Sequence, residues 1–287
     1  MSHTLLRLLV ILLRMAVFIY VGLIVVLAIF QRKLIYMPDR QSSDAATRIG
    51  KAINLEPWLD KSGALIGWKR NVQSSPAANR LLVFHGNAGS ALDRLPYILG
   101  FEQLDQGKLW QVFVFEYPGY GPRPDEPSET SIRAAADAAL SQLLSEDSRP
   151  IWILGESLGS GPACALAHAR PNDVAGLLLV TPFSSMGDAA AAHYPYIPVR
   201  WILRDPWDNS SALAQFTHPL GILQAGSDTI IPIAQGRKLF AAAREPKKLW
   251  VEQGSDHNDL DLSSESKWWR EASDFLLAAP RSGSAAQ

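Results

Sequence analysis

Cysteine is nearly absent from this chain of 287 residues. Cys164 is the single one, so no intrachain disulfide forms, and redox chemistry does not reveal the compartment. Charge of either sign is equally unremarkable: 27 Lys and Arg stand against 28 Asp and Glu, a net charge of −1 with no long basic run. That balance argues against nucleic acid as a partner. No Cys/His cluster has zinc spacing. The glycine-rich stretch His85-Gly86-Asn87-Ala88-Gly89-Ser90 is not followed by the Lys-Ser/Thr of a phosphate loop. No internal repeat occurs, and neither a metal nor a cofactor is implied.

What the chain does have is an apolar N-terminus. Residues 15–30 carry no charge, and eleven of the sixteen are Val, Ile, Leu or Phe. On the insertion scale those side chains favour the bilayer by about 3–7 kcal/mol. Sixteen residues rise only ~24 Å against a hydrocarbon core of ~30 Å. Extending the helix back to residue 8 completes a span but includes Arg14, which costs about 2.5–3.5 kcal/mol at a helix centre and less where it snorkels. A single-pass anchor over residues 8–30 is the expectation. A cleavable signal peptide ending at Ala28 and an interfacial helix are the alternatives. Arg7 and Arg14 on one side and Arg32, Lys33 and Arg40 on the other leave the orientation open. All candidate catalytic residues lie beyond Leu34, so the segment is expected to localise the protein and to add nothing to its chemistry.

Those candidates begin with Gly155-Glu156-Ser157-Leu158-Gly159. The apolar run 151–154 before it reads as a buried strand, and the small, alanine-rich stretch 158–170 after it as a helix. Strand, sharp turn and helix together hold a serine exposed at the end of a sheet, and the flanking glycines let strand and helix approach closely. A serine capping a helix would look similar over five residues alone. A hydroxyl needs a base, and in sites of this kind an acid and then a histidine follow on loops after later strands. The strand 219–224 leads into Ala225-Gly226-Ser227-Asp228, and the strand 248–252 into a loop carrying His257. Ser157 is thus the candidate nucleophile, His257 the general base and acid, and Asp228 the residue that orients the imidazole. Asp205, Asp208, Asp256 and Asp259 remain alternative acids. His3, His168, His193 and His218 read as surface or packing residues. The oxyanion donors are expected to be the main-chain N–H groups of Leu158 and Asn87, with Ala88 as the near alternative to Asn87.

Apolar runs at 81–84, 110–115, 151–154, 176–180 and 220–223 lack polar alternation, as strands buried on both faces do. Helical stretches at 91–101, 128–145, 158–170, 233–243 and 264–278 lie between or after them. The alternation predicts an α/β fold: a doubly wound, mainly parallel sheet with helices on both faces, preceded by one transmembrane helix. Domain boundaries follow as an anchor over 1–33, a catalytic domain over 34–280 and a disordered tail over 281–287. The segment 184–216, rich in Pro, Tyr and Trp, reads either as a small cap over the site or as an ordinary connection.

A set of stretches in fixed order adds a family resemblance: Gln31-Arg32-Lys33-Leu34-Ile35-Tyr36, His85-Gly86-Asn87-Ala88-Gly89, Glu116-Tyr117-Pro118-Gly119-Tyr120-Gly121, Gly155-Glu156-Ser157-Leu158-Gly159, Thr181-Pro182-Phe183-Ser184-Ser185-Met186 and Ala225-Gly226-Ser227-Asp228. The chain resembles the α/β-hydrolases, in particular their membrane-anchored, bud-emergence-suppressor-like branch. The resemblance implies hydrolysis of esters or thioesters of a small or lipid-like acyl substrate, with the triad on Ser157, Asp228 and His257. Pro122-Arg123-Pro124 departs from the more usual glycine- or serine-rich turn, which bears on substrate preference rather than chemistry. A serine peptidase and a non-catalytic binding protein on the same scaffold are the competing functions.

Overall fold

Both faces of the central strands are apolar, and the computed structural model, which describes residues 3–70 and 77–278, covers each face with helices. The chain opens with a long helix α1 (His3–Ile35), a short strand β1 (Met37–Pro38), helix α2 (Ser43–Ala52) and the hairpin β2 (Leu55–Leu59) and β3 (Leu65–Arg70). Strand β4 (Asn79–Phe84), the two-residue β5 (Ala88–Gly89), α3 (Leu95–Glu102), β6 (Trp110–Phe115) and α4 (Glu129–Glu146) follow. Next come β7 (Ile151–Glu156), α5 (Ser160–Ala169), β8 (Val174–Val180) and three short helices, α6 (Met186–His193), α7 (Val199–Ile202) and α8 (Asn209–Leu213). The described chain closes with β9 (Leu220–Ala225), α9 (Ile233–Ala242), β10 (Lys247–Glu252) and α10 (Trp268–Ala278).

Eight strands form one sheet in the order β10-β9-β8-β7-β4-β6-β3-β2. All neighbours are parallel except β2 with β3 and β3 with β6. Because side chains alternate across a strand, each strand feeds two cores. Leu82, Phe84, Ile153 and Leu179 join one of them with Ile132 and Leu140 of α4 and Leu166 of α5. Leu81, Val83, Trp152 and Leu178 join the other with Tyr97 and Phe101 of α3 and Trp269 and Leu276 of α10. The fold is that of an α/β hydrolase, with the mainly parallel sheet that the apolar runs predict.

The opening of α4 is as expected. Ser128 accepts a hydrogen bond from the N–H of Ser131 (3.0 Å), and Ser131 Oγ accepts from the N–H of Ser128 (3.0 Å). The expected helix at 91–101 is corrected: a 3₁₀ turn occupies Ala91–Arg94, and the α-helix starts only where Pro96 fits its first turn. The expected helix at 264–278 starts at Trp268. Helix α2 and the hairpin β2–β3 had no counterpart in the sequence reading. Strand β2 carries Pro57 and lies at the sheet edge, where a missing N–H is tolerated and apolar alternation is weak. The tail expected over 281–287 lies outside the described residues.

Candidate active site

Strand β7 ends at Glu156, and Ser157 follows in a left-handed conformation, φ +49°. A non-glycine residue held there stores strain that only its surroundings maintain. The two flanking glycines are required by space. A Cβ on Gly159 would lie 2.1 Å from the Phe84 carbonyl oxygen, and one on Gly155 would lie 2.5 Å from the Gly159 oxygen. Ser157 consequently stands at the carboxyl end of the sheet, between β4 and β8.

The next two candidates come from adjacent loops. Strands β9 and β10 pair in parallel, and their loops stay joined beyond the sheet through Gly226 N–H to Glu252 O (2.8 Å) and Ser227 N–H to Ser255 O (3.0 Å). Asp228 and His257 leave from these loops. His257 Nε2 lies 2.9 Å from Ser157 Oγ, and Nδ1 lies 2.7 Å from Asp228 Oδ2. Both side chains are nearly covered, 8% and 2% exposed, so bulk water does not screen the pair. Asp228 Oδ1 accepts the N–H groups of Ile230 (2.9 Å) and Ile231 (2.6 Å), which fixes the carboxylate plane. The arrangement can pass a proton from the serine to the imidazole while the carboxylate holds the ring.

Three of the four alternative acids are occupied elsewhere. Asp205, fully buried, receives Arg32 Nε (2.8 Å), Arg32 Nη2 (3.1 Å) and the Glu129 N–H (3.1 Å). Asp208 caps α8 by accepting the Ser211 N–H (3.0 Å). Asp256 accepts the N–H and hydroxyl of Thr229 and the N–H of His257 itself, so it ties the histidine loop to the Asp228 loop. Those hydrogen bonds, the Thr229 N–H foremost, hold its carboxyl below the ordinary aspartate range. Among the histidines, His193 is exposed, as the surface reading has it. It lines the cavity over Ser157, with Nε2 2.7 Å from the Ile230 carbonyl oxygen.

Asn87 and Leu158 line that same cavity beside Ser157, where their main-chain N–H groups were sought. The loop bearing Asn87 is braced from three directions. Strand β1 pairs with β5 in parallel, and the Asn87 carbonyl accepts both the Met37 N–H (2.9 Å) and the Tyr120 hydroxyl (2.7 Å). Behind it Arg94 donates to Glu156 (2.6 Å) and to the Ala88 carbonyl (3.2 Å), linking this loop to the residue before the serine. Burial pushes the Tyr117 and Tyr120 hydroxyls well above the usual tyrosine range, which keeps both as neutral donors. Sequence reasoning assigned no role to Arg94 or Tyr120, because their partners, the Glu156 carboxylate and the Ala88 and Asn87 carbonyls, are brought near only by folding.

The cavity measures about 260 Å³ and is mostly apolar. The segment 184–216 forms one side of it, through Met186, Ala189, Val199 and Ile202, so it caps the site. The N-terminal helix also borders the cavity, although none of the candidate catalytic residues lies on it. Leu27, Gln31, Leu34 and Ile35 of α1 line the cavity together with Ser157. Among the described residues no group of three His, Cys, Asp or Glu side chains is arranged to hold a metal ion.

Residues 81–283 match the Alpha/beta hydrolase family. The chain is 34% identical to an uncharacterized protein of Mycobacterium tuberculosis over 238 residues, covering 81% of this chain and 82% of that one. It is 29% identical to the alpha/beta hydrolase domain-containing protein WAV2 of Arabidopsis thaliana over 283 residues, covering 90% and 91%. Among solved structures, the esterase Pf2001 of Pyrococcus furiosus superposes with a TM-score of 0.63 at 14% identity, over 85% of this chain and 99% of that one.

Proposed function

This chain belongs to the alpha/beta hydrolase family, and we propose that within it the protein is a serine hydrolase of carboxylic esters or thioesters. The observation that carries the reading is the line of hydrogen bonds from Asp228 through His257 to Ser157, at 2.7 and 2.9 Å. Ser157 Oγ attacks the acyl carbon as His257 Nε2 takes its proton, and Asp228 stabilises the imidazolium that forms. The carbonyl oxygen becomes an oxyanion facing the N–H groups of Leu158 and Asn87. Collapse expels the alcohol or thiol, protonated by His257, and leaves an acyl-serine. Water, deprotonated by the same imidazole, then attacks, and the acid departs.

The apolar cavity supports an acyl group on the bond being broken, and a 33-residue α1 that is long and apolar enough to cross a membrane supports a tethered enzyme acting on lipid-like esters. Residues 1–33 then act as a single-pass anchor and 34–280 as the catalytic domain. A fluorophosphonate probe, followed by p-nitrophenyl esters run beside peptide p-nitroanilides, tests the assignment. Labelling abolished by Ser157→Ala, with ester turnover exceeding amide turnover, is the expected result. Absence of labelling and of ester turnover in folded wild-type protein overturns it, and faster amide cleavage makes the protein a peptidase.

A further inference from the structure

Along α1 the residues that the rest of the protein covers, wholly or in part, are Ile24, Leu27, Ala28, Gln31, Arg32 and Ile35, while every residue from His3 to Leu23 is exposed. Steps of three and four place those six on one face of the helix. What they face is the cap. Gln31 Nε2 donates to the Ile202 carbonyl (2.9 Å), Gln31 Oε1 accepts the Arg204 N–H (2.7 Å), and further up the helix Tyr20 donates to the Tyr196 carbonyl (2.6 Å). From Tyr20 to Gln31 the helix rises roughly 16 Å. Tyr20, Ile24, Leu27 and Ala28 lie within the uncharged stretch 15–30 that a bilayer would solvate, and Gln31, Arg32 and Ile35 follow directly beyond it. Beside it the cap turns Tyr196 and Trp201 outward, 87% and 91% exposed, and such side chains concentrate where a membrane meets water. Leu34, Tyr194 and Ile230, which line the cavity, are themselves exposed, so the cavity opens on this side of the molecule.

We propose that α1 forms one wall of the acyl-binding pocket, so that the acyl chain of a bilayer-resident ester passes laterally between α1 and the cap to Ser157. On this view Leu27 and Leu34 help set the chain length accepted. The proposal rests on the serine-hydrolase reading above and adds the route and the specificity residues to it. The physical case for a lateral route is desolvation. A chain drawn out through water exposes each methylene, whereas passage from lipid into a cavity walled by Leu27, Val199 and Ile202 keeps it in apolar surroundings.

The test uses the full-length protein in detergent micelles, with p-nitrophenyl acetate, butyrate, octanoate and dodecanoate. The variants are Leu27→Trp, Leu34→Trp and, as the control, Ile29→Trp. Ile29 is exposed and does not line the cavity. Labelling by a fluorophosphonate reports an assembled site in each, and exposed Leu34 accepts a larger side chain without disturbing the core. Filling the pocket should lower kcat/KM for dodecanoate relative to acetate by about tenfold or more, since single methylenes in apolar pockets discriminate on that scale. The Ile29→Trp ratio should equal the wild-type ratio. Labelled Leu27→Trp and Leu34→Trp proteins that keep the wild-type ratio overturn this proposal alone, as does an equal shift in Ile29→Trp. Wild-type protein neither labelled nor active on any ester overturns the serine-hydrolase reading, and this one with it.

Discussion

Asp228→Asn is expected to lower kcat by about 10⁴, the factor seen for the same exchange in a serine protease, while KM and the fold stay nearly unchanged. The direction follows from how the carboxylate is held. Its Oδ1 accepts two main-chain N–H groups, from Ile230 and Ile231, and its Oδ2 meets His257 Nδ1. An asparagine amide has one acceptor end. Turning its NH₂ toward the two N–H groups would forfeit both hydrogen bonds, at about 1–3 kcal/mol each. The oxygen therefore stays on the main chain, and the NH₂ points at Nδ1. That forces the imidazole proton onto Nε2, which then donates to the Ser157 hydroxyl oxygen across 2.9 Å and has no lone pair left to take the serine's proton. The base is lost without loss of packing. A factor of 10⁴ is about 5 kcal/mol of transition-state stabilisation. Asp205→Asn, by contrast, weakens a buried ion pair with Arg32 and should appear as a lower Tm with kcat largely retained. Stopped-flow and steady-state assays on p-nitrophenyl butyrate, with circular dichroism melts of each variant, separate the two. An active Asp228→Asn beside an Asp205→Asn as impaired as His257→Ala would refute the assignment of the acid.

Ser157→Ala should lose about 10⁴–10⁶ in kcat with an unchanged melt, because triad members act as a unit; retention of more than a few per cent of turnover would remove the serine from its role. Deleting residues 3–23 removes exposed helix and the Tyr20–Tyr196 hydrogen bond but no residue lining the cavity, and should preserve turnover of a short soluble ester, as read in the detergent-free fraction, whereas deletion through residue 35 also takes Gln31, Arg32 and Ile35 and should lower both Tm and activity. The opposite pattern would show that the packed stripe on α1 contributes nothing. Asp188 is held down to about 2, chiefly by its hydrogen bond to Lys238, with burial opposing and Arg200 and Ser184 assisting. Because its folded pKa is depressed, its contribution is complete above the usual 3.8 and is lost as pH falls through about 2. Proteolysis of the cap should accelerate across that window, and Asp188→Asn should abolish the acid step by making the cap equally susceptible at neutral pH.

The sheet and the order of the site residues were written in local sequence. Runs such as Ile151-Trp152-Ile153-Leu154 are apolar because both of their faces are covered, and short-range pattern reports burial directly. Ser157 was legible because its strained turn needs glycine at 155 and 159, and a steric demand leaves a mark at fixed spacing. Asp228 and His257 were legible as residues on loops after successive strands. Their meeting was not, since Asp205 offered the same chemistry one loop earlier. Only the parallel pairing of β9 with β10 brings the two loops side by side, and only folding buries Asp205 against Arg32. The edge strand β2, and with it the hairpin to β3, escaped because an edge tolerates Pro57 and keeps little alternation. The packing of α1 against the cap escaped for a different reason. The helix is long and apolar enough to cross a membrane, and a helix apolar on all sides does not declare which face meets protein. That face is chosen by contacts between residues more than a hundred positions apart, Gln31 with Ile202 and Tyr20 with Tyr196, which no local pattern encodes.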